Sequence, residues 1–148
     1  MLRISGINVL GVLLGGISVW LLGFLWYGIA FDRLWMTEMG YTEEMVSAAL
    51  QPGLFFAGGC LISLSLAFAQ AAAMKAFGAT DWRSAVRLGA WIGVFIGLPM
   101  AGFGLVYQIE HSWTLFALHG GYNILLFVLA GLVLAAFWGK DTGAAQAA

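Results

Sequence analysis

Four long apolar stretches, separated by short connections, constrain the fold of this chain more than any other feature. The hydrocarbon layer of a bilayer is about 30 Å thick, and an α-helix needs about 20 apolar residues to cross it. Each stretch is long enough, which predicts an all-α membrane protein built as a four-transmembrane-helix bundle. The predicted spans, which form one domain over residues 1–148, are about 7–29, 53–74, 85–107 and 115–138.

The composition agrees with a membrane protein and excludes several classes of function. The chain is 62% hydrophobic and only 9% charged, whereas soluble domains carry about 25% charged residues. Its net charge of −1 gives no reason to expect nucleic acid as a partner. Cys60 is the only cysteine, so neither an internal disulfide nor a Cys-x-x-Cys redox pair is possible.

The two histidines do not form a metal-binding pattern. No His-Glu-x-x-His motif is present, and His111 and His119 would lie about 12 Å apart along a continuous helix, too far to share one ion. We therefore expect no metal, no cofactor and no catalytic residue. An intramembrane enzyme is the weakest hypothesis, because Glu110 with His111 is the only acid–base pair nearby and no nucleophile motif accompanies it.

The distribution of positive charge predicts how the chain is oriented in the membrane. Basic residues concentrate at both ends of the chain and around the second connection, while the other connections contain only Arg33. We expect a multi-pass protein of the bacterial inner membrane, surrounded by lipid, with both termini in the cytoplasm. The basic residues on the predicted cytoplasmic side are Arg3, Lys75, Arg83, Arg87 and Lys140.

The connection 30–52 is the only long one, and it contains a helix signal. Thr42 is a good N-cap, and Glu43 and Glu44 after it suit the positive end of a helix dipole. Pro52 would end this helix and open the next span. The pattern predicts one short interfacial helix between the first and second spans.

Small residues recur at four-residue spacing in the second and third spans, which lets helix backbones approach closely. Two such stripes on consecutive spans favour an antiparallel pair of these helices, or contact of one stripe with a second copy or another subunit. Pro99 predicts a kink in the third span, because it cannot donate to the Phe95 carbonyl. The stripes are Gly59, Ser63, Ala67 and Ala71 in the second span and Gly89, Gly93, Gly97 and Ala101 in the third.

Polar and aromatic side chains gather near the predicted outer ends of the spans. His119 and Asn123, four residues apart, share one face of the fourth helix. The group could line an outward-facing pocket beneath the connection 30–52, or its polar members could simply bond neighbouring helices together. The candidate pocket residues are Trp26, Tyr27, Asp32, Trp35, Gln108, Glu110, His111, His119, Tyr122 and Asn123.

Two groups of residues form motifs that hydropathy alone does not explain. One contains Gly-Phe-Leu-Trp-Tyr-Gly at 23–28, and the other begins with Glu-His-Ser-Trp at 110–113. The motif residues are Asn8, 23–28, Phe31, Trp35, Met39, Gly40, Thr42, 110–113, Phe116, Gly121, Tyr122 and Trp138. The pattern resembles the small bacterial membrane proteins catalogued as domain of unknown function 1761. The resemblance implies a four-helix membrane protein and brings no activity, substrate or catalytic residue with it.

Two main functional hypotheses follow from the sequence. The first is a membrane protein without enzymatic activity that acts as an accessory subunit or a homo-oligomeric scaffold, because the chain combines packing stripes with no reactive constellation. The second is a small-molecule binder or transporter that uses the outer pocket, with Pro99 permitting movement.

Overall fold

The computed structural model describes residues 2–49, 51–107 and 112–138. In this part of the chain the protein is an all-α membrane protein whose four spans form a helix bundle. The spans are Val9–Ala30, Pro52–Phe77, Trp82–Tyr107 and Trp113–Ala136. The helices are α1 (Val9–Leu25), α2 (Asp32–Glu38), α3 (Glu43–Ala49), α4 (Pro52–Phe77), α5 (Trp82–Ile92), α6 (Leu98–Tyr107) and α7 (Trp113–Ala136), with π turns at Trp26–Ala30 and Gly93–Gly97.

The outer surface of the bundle is apolar. Only 22% to 33% of the most apolar window of each span is buried inside the bundle, and residues such as Leu61, Ile62 and Phe95 are more than 60% exposed. A surface of this kind would be unfavourable in water, but it is as apolar as the lipid tails around a membrane helix. The predicted four-helix membrane fold is thus confirmed.

Helix α7 is the centre of the bundle, since it packs against α1, α4, α5 and α6. Glycines allow α5 and α7 to touch through their backbones. A Cβ atom on Gly89 would lie 2.3 Å from the Phe127 carbonyl oxygen, and one on Gly131 would lie 2.7 Å from the Ala85 carbonyl oxygen. Any larger side chain at these two positions would force the helices apart.

The small-residue stripe of the third span faces α7. An added Cβ would lie 2.6 Å from the Ile124 Cα atom at Gly93 and 2.7 Å from the Asn123 Cβ atom at Gly97. Ala101 continues the buried face of this span.

The small-residue stripe of the second span faces α1 and the bundle interior. Gly59 lies against the Trp20 indole, and an added Cβ on Gly15 would lie 3.5 Å from the Ala67 Cβ atom. Ser63, Ala67 and Ala71 are buried. The expected antiparallel pairing of the second and third stripes is therefore wrong, because each stripe packs on a different helix.

A β-hairpin that the sequence analysis did not predict precedes α1. Strands β1 (Arg3–Ile4) and β2 (Ile7–Asn8) pair antiparallel. The turn residues Ser5 and Gly6 have φ angles of 50° and 78°, as a two-residue hairpin turn of the primed type requires. A pair of two-residue strands is too short to produce a recognisable alternation in the sequence.

Asn8 joins the two ends of the described chain, and we call this end of the bundle the terminal end. Its Oδ1 atom accepts hydrogen bonds from the Leu10 and Gly11 N–H groups, which caps α1. Its Nδ2 atom donates to the Phe137 carbonyl at 3.1 Å. One buried amide therefore both starts the first span and ties it to the end of α7.

The turn between the second and third spans also lies at the terminal end. Gly78 ends α4 with a left-handed φ of 66°, a conformation that glycine adopts at no steric cost. Asp81 caps α5 by accepting from the Arg83 and Ser84 N–H groups. The hydrogen bond from the Ser84 hydroxyl, followed by that from its N–H, holds the pKa of the Asp81 carboxyl below its usual value.

The irregularity expected at Pro99 lies just before this residue, as a π turn. The N–H of Leu98 bonds the Gly93 carbonyl, five residues back. Proline lacks an N–H, and its ring crowds the carbonyl four residues earlier. The wider π turn provides one way to relieve that crowding within a continuous span.

The connection between the first two spans lies at the opposite end, which we call the distal end. The Thr42 hydroxyl accepts from the Met45 N–H at 3.2 Å, so α3 begins as the sequence predicts. Pro52 opens α4 as expected. The prediction of a single short helix here is incomplete, since α2 forms as well, directly after the first π turn.

Candidate functional site

An aromatic cluster at the distal end brings together several predicted pocket residues. The first π turn carries Trp26 and Tyr27, and α7 carries Tyr122 between them. The ring centroids lie 5.1 Å apart for Tyr27 and Tyr122 and 6.3 Å apart for Trp26 and Tyr122. Trp35 of α2 lies edge-on to Tyr27 at 6.2 Å. Rings in edge-to-face contact attract each other through their quadrupoles. The contact between Trp35 and Tyr27 therefore stabilises α2 against the bundle.

A hydrogen bond between Tyr27 and His119 crosses the cluster. The Tyr27 hydroxyl lies 2.7 Å from the His119 Nδ1 atom. Which group donates depends on the tautomer of the imidazole. If the tyrosine hydroxyl donates the hydrogen bond to Nδ1 of the neutral ring, Nε2 carries the ring proton and is an N–H donor. This bond fixes the end of the first span to the second turn of α7.

Asn123 is placed with His119 on α7, but its amide nitrogen is used in helix packing. Its Nδ2 atom donates to the Gly97 carbonyl at 2.8 Å. Gly97 ends the second π turn, where backbone carbonyls lose regular α-helical partners. Membrane helices commonly associate through hydrogen bonds of this kind, in which a polar side chain of one helix bonds a group of its neighbour.

The other predicted pocket residues are only partly brought into this cluster. Asp32 begins α2 and is half-buried, and within the described residues no side chain bonds its carboxylate. Gln108, Glu110 and His111 lie outside the described residues, so their place in the pocket stays a prediction.

A groove that the sequence analysis did not single out lies beside the aromatic cluster. It is a shallow depression, largely open to its surroundings, with a volume of about 530 Å³. Trp26 is a predicted pocket residue, and Phe31 and Trp113 belong to the motifs described above, so these three residues were the signals in the sequence that pointed to the groove. Its lining residues are Trp26, Phe31, Leu34, Trp113, Thr114, Ala117 and Leu118.

The groove contains an unusual polar group, the indole of Trp26. This side chain forms part of the groove wall, and its ring lies 4.6 Å from that of Phe31. The Trp26 Nε1 atom is buried and has no hydrogen-bond partner among the residues that the structure describes. An indole N–H is a donor only, and a buried donor without an acceptor costs free energy.

A second contact at the distal end fixes the position of α2. The Ser112 hydroxyl donates to the Glu38 carboxylate and also accepts from the Leu115 N–H at 3.0 Å. The residue that caps α7 thus bonds the end of α2. Since α2 and α7 supply the two sides of the groove, this contact sets its width.

No metal centre is found in the part of the chain that the structure describes. Among residues 2–49, 51–107 and 112–138, no three His, Cys, Asp or Glu side chains lie close enough to hold an ion. The described polar groups of the site are hydrogen-bond donors and acceptors on apolar walls. Apart from Thr114 and the Trp26 indole N–H, the side chains of the groove residues are apolar.

A family model described as "Protein of unknown function (DUF1761)" matches residues 10–135. No curated protein and no solved structure matches the chain. The matched range contains the whole of the distal site.

Proposed function

Given that this chain belongs to the DUF1761 family, we propose that it is a membrane protein without enzymatic activity that binds an apolar small molecule in its distal groove. The observation that carries this proposal is the groove of about 530 Å³ between α2 and the start of α7. A membrane protein offers such a groove to molecules that are already dissolved in the bilayer. The ligand does not have to be taken from water.

The arrangement around the groove supports a stable binding site. The Tyr27–His119 hydrogen bond joins the residue after Trp26 to the residue after Leu118, so it holds two groove walls at a fixed separation. The Ser112–Glu38 bond holds the end of α2 against the start of α7, the two helices between which the groove lies. Walls fixed before the ligand arrives lose little conformational entropy on binding, which favours affinity.

A photolabelling experiment tests the proposal. Protein in lipid nanodiscs is exposed to a long alkane that carries a diazirine group, and the labelled residues are identified by mass spectrometry. We expect labels in the groove, on residues 113–118. The change Ala117→Trp should fill the groove and remove this labelling, because Ala117 lines it.

The matched control is Ala136→Trp, an exposed alanine at the other end of α7. It adds the same indole to the same helix but should leave groove labelling unchanged. Equal labelling of the two variants, or labels spread evenly over the lipid-facing surface, would contradict the proposal. The change Tyr27→Phe should weaken labelling without abolishing it, because it loosens the wall but leaves the volume.

A second candidate function, an accessory subunit or homo-oligomer, is favoured by the start of α4. Residues 51–57 are all exposed, and an added Cβ on Gly53 would have no atom within 4 Å. Exposed glycine on a membrane helix permits close approach of another helix. The partner would be a second copy of the chain or a subunit of a larger membrane complex.

Native mass spectrometry after mild extraction tests this second candidate. We expect an oligomer or a complex that Gly53→Leu dissociates, whereas Ala72→Leu, at an exposed position farther along α4, should not. A strictly monomeric species in several detergents would count against it.

We also propose the bacterial inner membrane as the location, with the terminal end in the cytoplasm and the distal end outside. The distribution of Lys and Arg supports this orientation. In a Cys60→Ala background, Met45→Cys and Arg83→Cys should be labelled by an impermeant thiol reagent from opposite sides of the membrane. Labelling of both from the same side would contradict it.

A further inference from the structure

The Trp26 indole indicates which chemical class of ligand the groove binds. Its Nε1 atom is buried and has no partner among the described residues, and Trp26 is one of the residues that line the groove. The indole is a rigid ring system, so its nitrogen moves together with the rest of the side chain. Because Nε1 is buried, a ligand can reach the N–H only after a rotation of this side chain, of the kind that commonly accompanies binding.

We propose that the groove binds an amphiphile that combines an apolar chain with a hydrogen-bond acceptor, such as a carbonyl or ester oxygen, and that the Trp26 N–H donates a hydrogen bond to this acceptor. This inference rests on the proposed function. The apolar chain of the ligand contacts the walls, which consist of aromatic and aliphatic side chains except for Thr114. The indole N–H donates a hydrogen bond to the oxygen, because a donor-only group can be satisfied only by an acceptor.

The neighbouring groups do not favour a ligand whose polar end is a donor, such as an amine. The Glu38 carboxylate, which accepts the Ser112 hydroxyl, is not among the residues that line the groove. The Asp32 carboxylate belongs to α2 but is not among the residues that line the groove. The indole N–H would repel a second donor and would stay unsatisfied, which costs free energy in a low-dielectric site.

A matched pair of ligands tests the inference. Dodecan-2-one and dodecane have similar chains and differ in one carbonyl, and each is used to compete with the diazirine alkane in nanodiscs. The ratio of their affinities is measured for the wild type, Trp26→Phe and Trp113→Phe. Comparison between variants cancels the different partitioning of the two ligands into the bilayer.

The ratio should favour the ketone in the wild type and fall by about two- to tenfold in Trp26→Phe, the range expected for one net hydrogen bond. Trp113→Phe is the control, because Trp113 lines the same groove but is 72% exposed. It should leave the ratio unchanged. An unchanged ratio in Trp26→Phe would overturn the inference, and displacement of the probe by neither ligand would instead overturn the proposed function.

A spectroscopic measurement on the wild type keeps the test independent of variant folding. With ¹⁵N-labelled tryptophan, the ketone should move one of the seven indole N–H signals downfield, and dodecane should not. The absence of any ketone-specific shift would overturn the inference even if Trp26→Phe failed to fold.

Discussion

Replacing Gly89 by alanine tests whether the bundle is held together by backbone contact between α5 and α7. The added Cβ would lie 2.3 Å from the Phe127 carbonyl oxygen and 2.7 Å from its carbon. Atoms in ordinary contact lie about 3.5 Å apart, so the helices would have to separate by about 1 Å. A gap of that size forfeits a quarter to a half of each dispersion contact along the interface.

The expected cost is about 1–3 kcal/mol, as for other overpacked sites, and the roughly 1 kcal/mol by which alanine is the better helix former offsets part of it. We therefore expect Gly89→Ala to lower the free energy of unfolding by up to about 2 kcal/mol. Gly58→Ala is the matched control, because its Cβ would meet only Leu54 at 3.9 Å. It should be neutral or slightly stabilising.

Unfolding by SDS in bicelles, followed by tryptophan fluorescence, measures both variants on the same scale. The reasoning would be refuted if Gly89→Ala and Gly58→Ala unfolded at the same SDS mole fraction. It would also fail if Gly89→Leu, with a far larger side chain, were no worse than Gly89→Ala.

Three further predictions concern polar side chains that cap a helix or bond one helix to another. Asn8→Ala should lower the unfolding free energy by about 1.5–3 kcal/mol, since it removes the cap of α1 and the hydrogen bond to the Phe137 carbonyl. In the same SDS titration, Asn8→Asp should recover the cap but not the bond to Phe137. Asn123→Ala should cost about 0.6–1.7 kcal/mol in that titration through the lost bond to Gly97, and no loss would contradict its role in packing. The carboxyl of Asp81 has a folded pKa below its unfolded one, so its contribution to stability is complete above about pH 4 and is lost as the pH falls through the folded pKa. Unfolding curves between pH 6 and pH 3 should therefore show the gap between wild type and Asp81→Ala shrinking toward low pH.

Much of the fold could be predicted because a bilayer imposes one simple requirement. Every backbone group in the hydrocarbon layer must be bonded internally, so long apolar stretches have to be helices. The same rule explains what was missed. A π turn such as Gly93–Gly97 has the same apolar composition as an α-helix, and α2 is too short and too mixed in character to show a period.

The candidate site was predicted only as a region. Four-residue spacing places Gly89, Gly93 and Gly97 on one face of a helix, but it does not say which neighbour that face meets. Similarly, the sequence puts Tyr27 and His119 near the same membrane level, while their hydrogen bond depends on how two distant helices rotate against each other. The groove was missed because its aliphatic walls, such as Leu34 and Leu118, look like any other apolar residue in the sequence.

The central position of α7 has a consequence for how the protein is made. During synthesis α7 is the last of the four spans to leave the ribosome, yet it supplies the surface on which α5 and α6 pack. Until it enters the membrane, the nascent third span has little to bind, and its glycine face stays open to lipid or to a chaperone. Assembly must therefore finish after translation of the fourth span, and a nascent chain arrested before residue 113 should be recognised by quality-control proteases as incomplete.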